Sequence, residues 1–137
     1  MSQDTIRSEP VSRLFHDKNF GFLATLMNDG SPQVTPIWVD IDGDYIIVNT
    51  AEGRIKHKNI SNDPRVAVSV ADQANPYNMV TVQGTVVEQT TKGADEHIDR
   101  MVKKYLGLDK YPGRALGEKR IILKIKPDRV FHQKPPR

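Results

Sequence analysis

Residues 21–48 read GFLATLMNDGSPQVTPIWVDIDGDYIIV, and this stretch decides the fold. The apolar run from Gly21 to Met27 is strand-like, and Asn28-Asp29-Gly30-Ser31 closes it with an Asp-Gly pair suited to a tight hairpin turn. A second strand is predicted from Gln33 to Ile41. Asp42-Gly43-Asp44 then turns the chain into Tyr45-Ile46-Ile47-Val48, so three antiparallel strands form a meander. Inside the second strand, Pro36 gives no N–H to a ladder and so belongs at an edge or an interruption. Val34-Thr35-Pro36-Ile37-Trp38 there offers free backbone groups beside the only tryptophan, a setting for a flat ring. An edge strand whose Trp38 is simply buried is the competing reading.

The meander runs into Val48 to Arg65, VNTAEGRIKHKNISNDPR. A strand ending at Thr50 breaks at Gly53 and gives way to a helix-compatible segment, Arg54 to Ile60, stopped by Asp63-Pro64. The first turn of a helix carries unpaired N–H groups and about half a positive charge, so Arg54, Lys56 and Lys58 together are locally unfavourable without an anion. A phosphate would take up both the N–H groups and the cations. A solvated basic face is the plainer alternative. By spacing, Arg54 and Lys58 share a helix face while Lys56 points away, so all three converge only if Arg54 or Lys56 lies before the helix proper.

Elsewhere, Ser8-Glu9-Pro10 ahead of Val11, Leu14 and Phe15 starts a short helix ending near Lys18-Asn19. Val66 to Val70 gives a fourth strand and Val80 to Glu88 a fifth, with Gly84 marking a bulge or a close backbone approach. Thr91 to Leu106 is a helix: Ala94, Ile98, Met101, Val102 and Tyr105 form one stripe, acids sit in the first turn, lysines in the last, and Gly107 follows as a C-cap. That stripe reads as core. Leu108 to Lys119 is a loop, and Arg120 to Phe131 a last strand or strand pair bent at Pro127. Six short strands with one inserted helix point to a Greek-key barrel or sandwich.

At 137 residues and 15.5 kDa the chain has the length of one domain, residues 1–137, with room for a sizeable core. It holds no cysteine, so disulfides and thiolate chemistry are excluded and any redox chemistry needs a cofactor. No run of about eighteen apolar residues occurs and the first residues lack a signal-peptide centre, which predicts a cytoplasmic protein without membrane contact. Residues 119–137 carry seven basic side chains against Asp128, a local +6, so the net +3 leaves −3 for residues 1–118. Beyond Phe131 that tail has no interleaved aromatics, and no nucleic-acid partner is expected. His16, His57, His97 and His132 lack metal-ligand spacing, and no nucleophile elbow is present.

Taken in order, GFLATLMNDGSPQVTPIWVD, VNTAEGRIKHKNISNDPRVAVSV, VTVQGTVVE and EHIDRMVKKYLG resemble the pyridoxamine 5′-phosphate oxidase-like FMN-binding split barrels over nearly the whole chain. The likeness is greatest to the small members that use the deazaflavin coenzyme F420. It implies a mainly β fold, a six-stranded split β-barrel of Greek-key type with accessory helices, and a homodimer with the cofactor in a groove between subunits. It implies Arg54 and Lys56 as phosphate ligands, with Thr50, Lys58 and Asn59 near them, Thr35, Pro36, Ile37 and Trp38 along the ring, and Gln33, Tyr77 and Gln83 as further contacts. It carries no catalytic side chain, since the ring does the hydride chemistry. The expected activity is an F420-dependent oxidoreductase acting on an unsaturated or conjugated small molecule. An FMN-dependent enzyme is the alternative, and a non-catalytic flavin- or tetrapyrrole-binding protein the reading from another class. The ending RVFHQKPPR offers His132 and Arg137 without a match to the substrate-holding segment of the vitamin B6 enzymes. Acceptor pockets are expected from the loops Asp72 to Asn78 and Leu108 to Gly117.

Overall fold

The computed structural model describes residues 5–111 and 118–135. Pro112, Gly113 and Gly117 of the predicted acceptor loop, and Arg137, lie outside the described residues. The chain order is α1 (Val11–His16), β1 (Phe20–Leu26), β2 (Pro32–Trp38), β3 (Asp40–Asp42), β4 (Tyr45–Ala51), α2 (Ile55–Asn62), β5 (Arg65–Ala71), β6 (Met79–Thr90), α3 (Ala94–Leu106) and β7 (Arg120–Gln133).

All seven strands join one antiparallel sheet in the order β2-β1-β5-β6-β7-β4-β3. The two strands at its ends, β2 and β3, are separated in the chain by Val39 alone. The sheet therefore curls until its ends meet at that residue. The sequence predicts one strand across this region and six in all, whereas the structure breaks it at Val39 and has seven among the described residues. Counting β2 and β3 as one bent strand gives a six-stranded ring in the order 1-2-3-6-5-4, a Greek-key split barrel.

The break is compensated by α3. Val39 is fully buried, and its N–H donates to the Tyr105 hydroxyl at 3.0 Å while Tyr105 donates to the Asn19 carbonyl at 2.7 Å. The Lys104 ammonium donates to the Val39 carbonyl at 2.9 Å and to the Phe15 carbonyl at 2.6 Å. Buried backbone groups require partners, and here two side chains replace the missing strand neighbour.

Alternation along the strands fills the barrel with Leu23, Val39, Ile46, Val48, Val68, Val70, Val80, Val82, Leu123 and Ile125, to which α1 adds Val11, Leu14 and Phe15 and α2 adds Ile60. The predicted α3 stripe is buried throughout, with Ile98, Met101 and Tyr105 packed against Trp38 and Tyr111. Helix α3 begins three residues later than expected, because Gly93 turns at φ 77° before it, and Gly107 ends it at φ 73°. At Gly84 the β6–β7 register shifts, and a Cβ there would lie 2.7 Å from the Lys126 carbonyl oxygen, so bulge and close approach coincide.

Candidate functional site

The start of α2 is built without its own neutralisation. Gly53, at φ +87°, swings the chain from β4 into the helix, and Arg54 is the N-cap with extended backbone and no side-chain cap. No acidic residue occupies the first turn. The N–H groups there lack intrahelical acceptors and carry the positive end of the helix dipole. Lys56 is half-buried and its pKa is lowered from the ordinary 10.5, first by burial and then by the positive charges of Arg54 and Arg120. Among the described residues, neither Arg54 nor Lys56 has a carboxylate within ion-pair distance.

These two cations wall a cleft of about 230 Å³. It is lined also by Phe20 with Pro36, Ile37 and Trp38 of β2, and by the buried or half-buried Asn49, Ile98, Met101, Tyr111 and Arg120, which form its floor. Strand β2 pairs with β1 on one edge and, among the described residues, has no strand on the other, so Pro36 sits where a missing N–H can be tolerated. Trp38 is held by stacking on Tyr105, with ring centroids 5.2 Å apart and planes 7° from parallel. Nearby in the fold, the hydroxyl oxygens of Thr35 and Thr50 are buried without a hydrogen-bond partner among the described residues.

Arg120 opens β7 opposite Ala51 and is 5% exposed. Its Nε donates to Asn49 Oδ1 at 2.9 Å, its Nη1 to Glu118, and its guanidinium lies 5.2 Å from the Tyr111 ring centre. The Asn49 amide nitrogen donates to the Ala94 carbonyl at 2.8 Å and faces His97 Nδ1 at 3.1 Å. His97 Nε2 in turn faces Asp40 Oδ2 at 3.1 Å. Burial pushes the Asp40 carboxyl up, but the His97 contact, the Ile41 N–H and Lys104 outweigh it and leave Asp40 below its ordinary 3.8.

Of the residues singled out from sequence, the structure brings Arg54, Lys56, Pro36, Ile37 and Trp38 into this one cleft. Lys58 and Asn59 fall elsewhere, beside a hollow of about 740 Å³ between α2 and the β1–β2 turn. The helical advance of about 100° per residue puts Lys58 some 200° from Lys56. Buried Asn59 donates to Thr25 Oγ1 at 3.0 Å and to Met27 sulfur at 3.3 Å, tying α2 to β1. Gln33 approaches Thr25 at 3.5 Å, Gln83 lines a separate hollow with Arg65 and Arg129, and Tyr77 is exposed in the turn before β6. Thr35 and Thr50 do not line the cleft. Arg120, Asn49, Ile98 and Met101 do, although their sequence context does not assign them there; in sequence Arg120 belongs to the basic tail.

The outer face beside the cleft is apolar and uncovered. Phe20 lies across from Trp38, Phe22 across from Pro36 and Ala24 across from Val34, and Phe20, Phe22 and Val34 are each at least half exposed. Phe131, on β7, is likewise 56% exposed.

With this geometry in view, comparison with known proteins is informative. The family model described as pyridoxamine 5′-phosphate oxidase matches residues 8–134. A solved F420 reductase shares 29% identity and superposes with a TM-score of 0.81, over 90% of this chain and 98% of that one. General stress protein 26 from Bacillus anthracis gives 20% identity and a TM-score of 0.70, covering 96% and 97% of the two chains. A conserved protein from Mycobacterium tuberculosis gives 23% and 0.71, covering 98% and 90%. The last two likenesses concern the fold.

Proposed function

The chain belongs to the pyridoxamine 5′-phosphate oxidase family, and from that premise we propose that it is a homodimeric F420-dependent oxidoreductase acting on an unsaturated or conjugated small molecule. The observation that carries this is the meeting of Arg54 and Lys56 at an uncapped helix start, with no carboxylate within ion-pair distance among the described residues, beside the open edge of β2. That donor set suits a phosphorylated ring. Two cations and the first-turn N–H groups of α2 take the phosphate. The unpaired edge of β2 supplies backbone groups to the ring's polar rim, and Pro36, Trp38 and Phe20 supply its apolar bed. The similarity to an F420 reductase supports the deazaflavin as the group held.

When bound, the reduced deazaflavin supplies the hydride, and the protein's part is to orient and to exclude. Trp38, fixed against Tyr105, sets the plane of the ring bed. Ile98 and Met101 keep water from its floor. No side chain of the cleft is assigned as a proton donor, so solvent supplies the accompanying proton. At about 230 Å³ the cleft falls short of the roughly 300–1,000 Å³ usual for ligand pockets, which supports a second subunit completing it. The exposed Phe20, Phe22 and Val34 face offers the surface for that partner.

The family description favours FMN as the second reading, and cofactor identity largely decides reaction class, because FMN also performs one-electron and oxygen chemistry. The test is titration of the purified apoprotein with F420 and with FMN. F420 is expected to bind more tightly, and Arg54→Ala or Lys56→Ala to cost on the order of 1.5–3 kcal/mol, about ten- to a hundredfold. Lys124→Ala, whose ammonium lies over the Tyr45 ring away from the cleft, should leave binding unchanged. Tighter binding of FMN would return the reaction class to flavin chemistry, and parental binding by all three variants would refute the phosphate site.

A further inference from the structure

Arg120 is a buried arginine at the floor of a cleft that already holds two cations, and its surroundings fix it in one orientation. The β4–β7 ladder sets it opposite Ala51, and the Glu52 N–H donates to the Lys119 carbonyl at 2.9 Å, so the backbone carries Arg120 to the turn that presents Arg54. A buried charge persists where partners hold it. Glu118 accepts from one edge of the guanidinium, Asn49 Oδ1 from Nε, and Tyr111 lies against its face. These two hydrogen bonds do not exhaust its five N–H donors.

The direction of the chain behind Asn49 follows from what each atom can do. The Ala94 carbonyl only accepts, so the atom of Asn49 beside it is the amide nitrogen. The amide oxygen must then face Arg120, and the second amide hydrogen must point at His97 Nδ1. His97 accepts there and carries its proton on Nε2, where Asp40 accepts it. Asp40, His97, Asn49 and Arg120 thus form one directed line of hydrogen bonds from β3 through α3 to the cleft. Reversing any amide or tautomer would set donor against donor.

We infer that Arg120 is a third ligand of the cofactor phosphate and that Asn49, locked by buried His97 and its partner Asp40, is the residue that positions it. This rests on the reading that the cleft binds a phosphorylated ring. A guanidinium held on two sides loses little conformational freedom when it meets an oxyanion, and its planar fork matches phosphate oxygens. Arg54 and Lys56, at the exposed helix start, supply charge; Arg120 supplies a fixed direction.

The experiment compares F420 and FMN with their phosphate-free ring-and-ribityl counterparts, the deazariboflavin and riboflavin, by titration of the same protein preparations. The readout is the preference for the phosphorylated member, which partial unfolding does not move because both ligands see the same folded fraction. Arg120→Met and Asn49→Leu are each expected to lower that preference about tenfold or more. His97→Leu, which frees the amide to turn, should behave like Asn49→Leu. His97→Asn, which places an acceptor where Nδ1 stood, should restore the parental preference. If Arg54→Ala and Lys56→Ala lower the preference but Arg120→Met and Asn49→Leu do not, Arg120 is structural and the inference is overturned. Parental preference in His97→Leu overturns the positioning line. If Arg54→Ala and Lys56→Ala also leave the preference untouched, or no ring binds, the functional reading itself fails.

Discussion

Replacing Tyr105 with phenylalanine isolates the device that lets this barrel open. The substitution removes one oxygen and keeps the ring that stacks on Trp38 at 5.2 Å. That oxygen accepts from the Val39 N–H at 3.0 Å and donates to the Asn19 carbonyl at 2.7 Å. Both contacts are buried, and Tyr105 itself is 2% exposed. A buried donor stripped of its partner costs about 1–3 kcal/mol, and the carbonyl, with a second lone pair to offer, costs less. The expected loss is therefore on the order of 2–4 kcal/mol. For a chain of this length each kcal/mol moves the midpoint by roughly 3 °C, so Tyr105→Phe should melt about 6–12 °C below the parent. Thermal unfolding followed by far-ultraviolet circular dichroism at pH 7 measures it. Burial raises the tyrosine pKa above its ordinary 10.0, so the hydroxyl stays protonated there. A midpoint within about 2 °C of the parent would refute the reasoning, because Val39 would then be satisfied by something other than α3.

Ile98→Asp, which sets an unpaired charge into the buried stripe of α3, should cost on the order of 3–5 kcal/mol by denaturant titration; a variant with the parental midpoint would mean that α3 lies free of the sheet. Gly84→Ala should lose about 1–3 kcal/mol, because its methyl would meet the Lys126 carbonyl oxygen at 2.7 Å and backbone cannot swing aside; unchanged stability would show a looser bulge. Lys56 is held below its ordinary 10.5 in the free protein, and a bound anion raises it again, so binding takes up a proton and affinity should fall as pH is raised through the window between those two values. Lys56→Arg, which stays charged, should flatten that profile, and a parental slope in the variant would place the titrating group elsewhere. Light scattering at micromolar concentration should give twice the 15.5 kDa chain mass with cofactor bound; a monomeric mass would sink the shared cleft.

What the sequence made legible was set by local physics. The α3 stripe, its glycine cap and the hairpin turns are fixed by residues within a few positions of each other, and each appears in the structure where its pattern placed it. Gly84 was readable because a glycine inside an apolar strand has few other reasons to be there. The break at Val39 was not readable, because nothing near it in sequence announces it: its partners Tyr105 and Lys104 lie 66 and 65 residues away. Arg120 was hidden for a related reason. Summed with the tail it is one of seven basic residues, and only the pairing of β7 with β4 separates it from its solvated neighbours. Lys58 and Asn59 show the opposite effect, since contiguity in a motif gathers residues that the turn of a helix then sends to different sides.

The split in the barrel and the cleft have one cause. Had the chain continued as strand through Val39, β2 would have kept a neighbour along its second edge and no backbone would be open beside Trp38. Opening that edge leaves Val39 without strand partners, and α3 supplies them through Tyr105 and Lys104. The same helix lays Ile98 and Met101 along the cleft floor and gives Asn49 its two fixed contacts, the Ala94 carbonyl and His97. Stability and the proposed binding cleft therefore share an element, and substitutions on its buried face should disturb both. A ligand that binds the folded chain alone adds stability in proportion to the logarithm of its concentration over its dissociation constant. It follows that an α3 variant weakened only in its contact with Val39 should recover much of its melting temperature when the phosphorylated ring is saturating, whereas one altered at Asn49 should gain less than the parent at the same concentration. The two classes of defect separate by the size of that gain.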